Sequence, residues 1–153
     1  VLESDMPLYD LEGLLRLPSY NPMILEQIRP FESILPILTT VNANTAPPEV
    51  LMAAIPGLNR STAGNFVQQR ATAPIKSADE IAGLLNKLSG AQGVTIDASL
   101  VDVRSQYWLA RSEIRMGRGI FINSALIQRS QSPLPSGHFT QVIWSKTGKM
   151  AAE

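Results

Sequence analysis

The chain has 153 residues, of which 44% are hydrophobic and 17% are charged, and thirteen basic side chains balance thirteen acidic ones. This composition suits one folded domain or two small ones and excludes a disordered chain. With no net charge, the chain creates no global field that would attract nucleic acid or anionic lipid. It has no cysteine, which excludes disulfides and thiolate metal sites, and no apolar stretch approaches the length of a membrane span.

Proline and N-cap residues divide the first ninety residues into short helices. Pro30 is expected to end the second helix near Arg29. The clearest helix is the last one, in which Ser77 and Glu80 form a capping box before an apolar stripe at helical spacing, and Ser89-Gly90 is expected to end it. Candidate helix starts lie at Asp10, at Asn21 with Pro22, at Thr45 with Pro47, Pro48 and Glu49, at Asn59 and at Ser77. The predicted inward-facing residues are Ile24, Ile28 and Phe31 in the second helix, Ala63, Phe66 and Val67 in the fourth, and Ile81, Leu84, Leu85 and Leu88 in the last.

A weak repeat at an offset of 38 residues relates two of the helix connections. Residues 17–22 read Leu-Pro-Ser-Tyr-Asn-Pro, and residues 55–60 read Ile-Pro-Gly-Leu-Asn-Arg. The repeat predicts two related helical-hairpin subdomains, at about 5–38 and 39–90, within a helical domain that covers residues 1–93. The alternative is that helix, proline turn and asparagine cap are simply a common way to join two helices.

The periodicity changes after Gly93 and predicts antiparallel strands in residues 94–153. Apolar and polar residues alternate over 101–109 and again over 120–125, on either side of a turn at 116–119. A loop rich in serine and proline at 130–137 precedes a third strand at 139–145. Helices followed by strands predict an α+β fold. A three-stranded sheet needs a cover on one face, and a helix upstream of the sequence given is the natural candidate.

Catalytic chemistry finds little support in the sequence. His138 is the chain's one histidine, and Ser136 lies nearby, but their loop contains no acid that could complete a triad. An exposed loop residue is the better interpretation of His138. The glycine-containing turn at 116–119 lacks the following helix that a phosphate loop requires.

Metal binding has two weak candidates, Asp97 and Asp102, on either side of the entry to the first strand. Their carboxylates could supply oxygen ligands together with backbone carbonyls. The alternative interpretation is a capping residue and a solvated strand residue. The sequence contains neither a His-x-x-x-His pair nor an EF-hand calcium loop.

Residues 41–88 resemble the helix-hairpin-helix modules of DNA-binding proteins, in which two hairpin glycines allow backbone N–H groups to approach a phosphate. Gly57 supplies the first glycine, but Asn59 replaces the second and would compete for those N–H groups. The four cations, Arg60, Arg70, Lys76 and Lys87, give this segment a net charge of only +1. DNA binding is therefore the alternative hypothesis rather than the leading one.

The chain as a whole resembles the K-type minor pseudopilins of type II secretion, the general secretion pathway protein K family. Three stretches carry the resemblance, in the family's order along the chain. They are residues 14–31, the Asn-x-Asn-Thr signature within 41–51, and the strand pair within 105–129.

The resemblance implies two helix-hairpin-helix or SAM-like subdomains inserted in a pilin-like α/β domain that is truncated here. It implies a non-enzymatic periplasmic protein at the pseudopilus tip, anchored in the inner membrane by an N-terminal helix and in complex with I-type and J-type minor pseudopilins. It implies no required cofactor and no nucleic acid as a partner, and it allows calcium. The segment 41–70 then becomes part of an assembly protein.

Overall fold

The computed structural model describes residues 11–90, 97, 99–117 and 119–151. The chain divides into two compact units, Val1–Arg104 and Ser105–Glu153. Helices dominate the first unit, and an antiparallel sheet makes up the second, so the predicted α+β fold is confirmed. The predicted domain boundary after residue 93 lies outside the described residues.

In the described part of the helical unit, a 3-10 helix comes first and four α-helices follow. The 3-10 helix is Leu11–Arg16, and the α-helices are α1 Pro22–Ile28, α2 Pro48–Ala54, α3 Arg60–Thr72 and α4 Ala78–Ser89. Asn21, Asn59 and Ser77 cap α1, α3 and α4 as predicted. The predicted start formed by Thr45, Pro47, Pro48 and Glu49 is confirmed, since α2 begins at Pro48 with Glu49 in its first turn, and Pro47 occupies the N-cap without a side-chain bond. The predicted cap Asp10 lies outside the described residues.

The ends of α4 combine two of the predicted signals. The hydroxyl of Ser77 accepts a hydrogen bond from the N–H of Glu80 at 3.3 Å. The Glu80 carboxylate accepts from the N–H of Lys76 at 2.8 Å, one residue before the donor that the standard capping box uses. Gly90, with a φ of 62°, ends the helix in the left-handed conformation that glycine adopts without a Cβ clash.

The inner face of α1 differs from the prediction. Leu25 is its buried residue, whereas Ile24 and Ile28 are half-buried and Phe31 is exposed. The helix ends at Ile28, two residues before Pro30, so Phe31 is no longer at helical spacing from the residues of α1.

One apolar core joins α2, α3 and α4 to a short parallel pair of strands. The pair consists of β1, Val41–Asn42, and β2, Val101–Asp102. The prediction that 101–109 forms one strand is wrong, because Val101 is fully buried in the helical core and its strand bonds to β1. The largest fully buried side chains are Phe66, Leu51, Ile55, Ile81, Leu85 and Val101.

The second unit is a three-stranded antiparallel meander, in the order β3-β4-β5. Its strands are β3 Tyr107–Met116, β4 Gly119–Arg129 and β5 Thr140–Ala151. The predicted turn is confirmed, since Met116 pairs with Gly119 across a two-residue connection in which Gly117 has a φ of 58°. Strand β5 extends well beyond the predicted end at residue 145, and a bulge opposite Leu126 and Ile127 shifts its register.

Candidate functional site

The Asn-x-Asn-Thr signature forms a closed loop between β1 and α2. The side-chain oxygen of Asn42 accepts a hydrogen bond from the N–H of Asn44 at 2.9 Å. The Asn42 carbonyl accepts from the N–H groups of Thr45 at 3.1 Å and Ala46 at 2.9 Å. One asparagine therefore holds the whole turn, as short polar side chains do when they bond to nearby backbone.

The second asparagine of the signature attaches this loop to a distant segment. The Asn44 side chain donates to the Ile75 carbonyl at 2.8 Å and accepts from the Ile75 N–H at 2.9 Å. An amide side chain supplies one donor and one acceptor, so it pairs with a backbone as a neighbouring strand would. The loop is thereby fixed against the chain that leads into α4.

Arg70 completes this arrangement from the last turn of α3. Its guanidinium group donates to the carbonyl of Ala43 and, at 2.5 Å, to the carbonyl of Ala46. The side chain is only 9% exposed, and burial lowers the pKa of Arg70 from its ordinary value. We call Asn42, Asn44, Arg70 and the carbonyls they hold the signature node.

Sequence reasoning missed the role of Arg70, although a signal was present. Ala63, Phe66 and Arg70 follow one another at spacings of three and four residues, so all three share the inner face of α3. A cation in an inward position indicates a buried partner. In the sequence alone, Arg70 is one of four cations of residues 41–88 that would favour DNA binding.

The helix hairpin is closed by its own side chain, as predicted for Asn59. Gly57 turns the chain with a φ of 77°, and the side-chain oxygen of Asn59 accepts from the N–H of Thr62 at 2.9 Å. That bond occupies one of the N–H groups that a phosphate would need. With Arg70 buried, the exposed cations of 41–88 are Arg60, Lys76 and Lys87. A guanidinium nitrogen of Arg60 lies 3.6 Å from a carboxylate oxygen of Glu49.

Replacing Asn59 with alanine is expected to lower the free energy of unfolding by about 1 kcal/mol, because α3 loses its N-cap bond. Asn59→Gly should cost only a few tenths of a kcal/mol, since glycine tolerates the N-cap position. Urea denaturation followed by far-UV circular dichroism measures both. Asn65→Ala, at an exposed position of the same helix, is the control. Equal stability of Asn59→Ala and the unchanged chain would contradict the capping role.

The predicted metal candidates use their carboxylates locally. Asp97 accepts from the N–H of Ser99 at 2.8 Å and from its hydroxyl at 2.6 Å, and these bonds lower the pKa of Asp97. Asp102 accepts from the N–H of Val103 at 2.7 Å. The described residues include no group of three acidic, histidine or cysteine side chains that could hold a metal ion. The geometry thus offers calcium no ready-made ligand set, and the site remains a prediction.

His138 lies in the exposed loop between β4 and β5, as predicted. Its carbonyl accepts from the N–H of Leu134 at 2.8 Å, and Gly137 donates to the Leu134 carbonyl at the same distance. These bonds describe a tight turn. None of them places an acid beside the imidazole.

The two faces of the sheet differ in charge. Opposite residues in the register share a face, so Trp108, Ile127 and Val142 lie together. We call this side the Trp108 face, which also holds Phe121 and, at the end of β4, one charged residue, Arg129. Its other members on β3 and β4 are Ala110, Ser112, Ile114, Met116, Asn123 and Ala125.

Large apolar side chains on the Trp108 face remain accessible. Val142 is 61% exposed, Met116 66%, Ile114 54% and Trp108 42%. The opposite side, which we call the Arg111 face, carries Arg111, Glu113, Arg115 and Lys146. Within the sheet, most of the exposed large apolar side chains therefore lie on the Trp108 face, as expected of a sheet surface that another element covers.

Comparison with known proteins finds a family match over the segment that contains the signature node. Residues 41–104 match the family model described as type II secretion system (T2SS), protein K. This match begins at β1 and ends at Arg104, where the helical unit ends. The resemblance to protein K is confirmed. No protein of curated function matches the chain in sequence.

A solved structure shares the fold of both units in chain order. The crystal structure of the GspK-GspI-GspJ complex from the enterotoxigenic Escherichia coli type 2 secretion system contains a chain that matches 94% of this one, with a TM-score of 0.67 and 21% identity. The present chain spans 49% of the length of that chain. At this level of identity the likeness is one of fold.

Proposed function

We propose that the chain is part of a K-type minor pseudopilin that sits at the tip of a type II secretion pseudopilus. In this proposal it assembles in the periplasm with I-type and J-type minor pseudopilins. K-type pseudopilins are anchored in the inner membrane by an N-terminal helix, and we propose the same anchoring for the full-length protein. None of the helices in the described residues has the length and hydropathy needed to cross a bilayer.

The observation that carries the proposal is the protein K match over the signature node. The side chains of the node form hydrogen bonds with backbone groups of the chain itself, so these residues stabilise the fold rather than bind a substrate. The fold then adds a three-stranded sheet after the helices, which helix-hairpin-helix DNA binders do not require. A shared architectural motif together with this second unit favours the pseudopilin hypothesis over the DNA-binding one.

The function proposed here is binding without catalysis. A helical unit of about a hundred residues would form a bulky head at the filament tip. That head would prevent a further subunit from stacking above it, while other surfaces join the neighbouring minor pseudopilins. Calcium binding at Asp97 and Asp102 remains a separate prediction, on which the capping role does not depend.

The test is co-purification of this chain with soluble I-type and J-type pseudopilin domains. We expect a complex, and we expect Val142→Asp to weaken it because a carboxylate on the Trp108 face would be desolvated on contact. The matched control is Leu109→Asp on the Arg111 face, since Leu109 is 64% exposed and Val142 61%. Failure of the unchanged, folded chain to join either partner would sink the proposal. Equal effects of the two substitutions would contradict the role of the Trp108 face, but they would not contradict the proposed assembly.

A further inference from the structure

The connection between the 3-10 helix and α1 and the connection between α2 and α3 have corresponding hydrogen bonds. In the first, the N–H of Tyr20 donates to the Leu17 carbonyl at 3.0 Å. In the second, the N–H of Leu58 donates to the Ile55 carbonyl at 3.2 Å. Each bond closes a turn at the same place in the repeat, at an offset of 38 residues. The predicted repeat is thus visible as local geometry at the turns.

The helix caps that follow correspond as well. Asn21 accepts from the N–H of the third residue beyond it at 2.9 Å, and Asn59 makes the same bond at 2.9 Å. The turns differ at Gly57, which has a positive φ, whereas its counterpart Ser19 does not. Residues 14–28 and 52–66 can therefore be compared position by position.

Two inner positions of the first hairpin are less covered than their counterparts in the second. Ile55 is 1% exposed, and its counterpart Leu17 is 41% exposed. Phe66 is fully buried, whereas Ile28 at the equivalent position is half-buried. Both hairpins carry apolar residues at these positions, so the difference lies in what covers them.

A third helix supplies the cover in the second hairpin. Ile55 and Phe66 belong to one buried cluster with Ile81 and Leu85 of α4. After the first hairpin, residues 29–40 are all described and contain no helix. Among the described residues, the first hairpin therefore has no counterpart of α4 that would cover Leu17 and Ile28.

Exposed apolar side chains accumulate in the first hairpin and the segment after it. Met23 is 73% exposed and Leu38 84%. Leu15, Leu17, Phe31 and Ile37 are the other large exposed hydrophobic residues of 11–40. The buried cluster of the helical unit includes no described residue from this segment. An incomplete core of this kind typically marks a surface that another element covers.

The charges of the first hairpin constrain the occupant. Arg29 is bonded to Glu12 at 2.9 Å and to Glu26 at 3.0 Å, and these bonds raise the pKa of Arg29. Arg16 and Glu32 are the remaining charged residues of 11–40, so the segment has a net charge of −1. Complementarity favours a helix whose polar flank carries lysine or arginine.

We propose that the first hairpin docks an amphipathic helix of a partner protein, in the position that α4 takes on the second hairpin. The helix presents Ile and Leu at i, i+3, i+4 and i+7, as α4 does with Ile81, Leu84, Leu85 and Leu88. Its polar flank is basic. Leu17 and Ile28 form the centre of the docking surface. This inference concerns a different surface from the Trp108 face and does not require the pseudopilus assignment.

The probe is a peptide of residues 77–90 with Glu80→Lys, labelled with fluorescein. A staple between the exposed positions 79 and 83 fixes the helix, because an isolated helix of this length is marginal in water, and it removes Asp79 so that the polar flank is basic. Fluorescence anisotropy with the whole chain should show saturable binding. Leu17→Asp should weaken it at least about tenfold, a change of roughly 1.4 kcal/mol in binding free energy. Leu109→Asp, on the sheet, is the control and should leave binding unchanged.

A photo-crosslinking group on the peptide identifies the docking surface. Crosslinks within residues 11–40 would support the proposal. Crosslinks confined to 41–104 would overturn it, because the peptide would then be exchanging with α4 itself. Absence of binding would also overturn it. Analytical ultracentrifugation tests the other occupant, since a dimer that Leu17→Asp dissolves would assign the surface to a second copy of this chain and contradict a partner helix.

Discussion

Replacing Arg70 with alanine is expected to lower the free energy of unfolding of the helical unit by about 2–6 kcal/mol. The guanidinium group holds the carbonyls of Ala43 and Ala46, and its removal leaves both acceptors without this donor. Each buried acceptor left unsatisfied costs about 1–3 kcal/mol. Far-UV circular dichroism during urea denaturation measures the loss, because the helices lie in this unit.

Two variants separate the role of Arg70 from a general effect of charge. Arg60→Ala removes an arginine from the other end of α3, where the side chain is 84% exposed, and should change stability by less than about 0.5 kcal/mol. Arg70→Lys keeps the charge but loses the forked pair of donors, so it should fall between alanine and arginine. If Arg70→Ala were no less stable than Arg60→Ala, the signature node would not hold the loop.

The signature node changes the meaning of the Asn-x-Asn-Thr motif. From the sequence, the motif serves to recognise a family, and its position before a helix hairpin also suggests contact with a ligand. In the structure, Asn42 closes the loop, Asn44 pairs with Ile75, and Arg70 holds two carbonyls. Polar residues in such a network specify one conformation, since partial satisfaction would be costly. The motif is therefore an architectural element.

Local signals predicted most of the helical unit because they act within a few residues. An asparagine at an N-cap, a capping box or a proline stop depends on neighbours three or four positions away. Asn21, Asn59, Ser77 and Gly90 accordingly do what the sequence indicates. The sheet hairpin is of the same kind, since alternation and a glycine turn set its register.

Contacts between residues that are distant in sequence explain which features could not be predicted from the sequence. Val101 fits the alternation of a sheet strand equally well, and only its pairing with Val41, distant in sequence, assigns it to the helical unit. Asn44 and Ile75 are likewise separated by 31 residues. Such contacts leave no periodic trace in a single sequence. They are also the contacts that build the candidate site.

The second large effect is expected from a matched pair of substitutions in the repeat. Ile55→Ala should lower the free energy of unfolding by about 2–5 kcal/mol, because Ile55 is 1% exposed and lies in the core with α4. Leu17→Ala changes the corresponding position of the first hairpin and should cost less than about 1 kcal/mol, since Leu17 is 41% exposed. Urea denaturation of the two variants side by side gives the comparison.

The comparison has a physical consequence beyond stability. Leu17 and Ile55 accept the same turn bond and precede the same asparagine cap, so local structure is nearly constant between them. A large difference between the two losses of unfolding free energy would therefore measure the stability that α4 gives the second hairpin. The first hairpin lacks this contribution. Equal costs would mean that Leu17 is already covered, which would remove the basis for a docked helix. A surface leucine that stability does not require is available for binding.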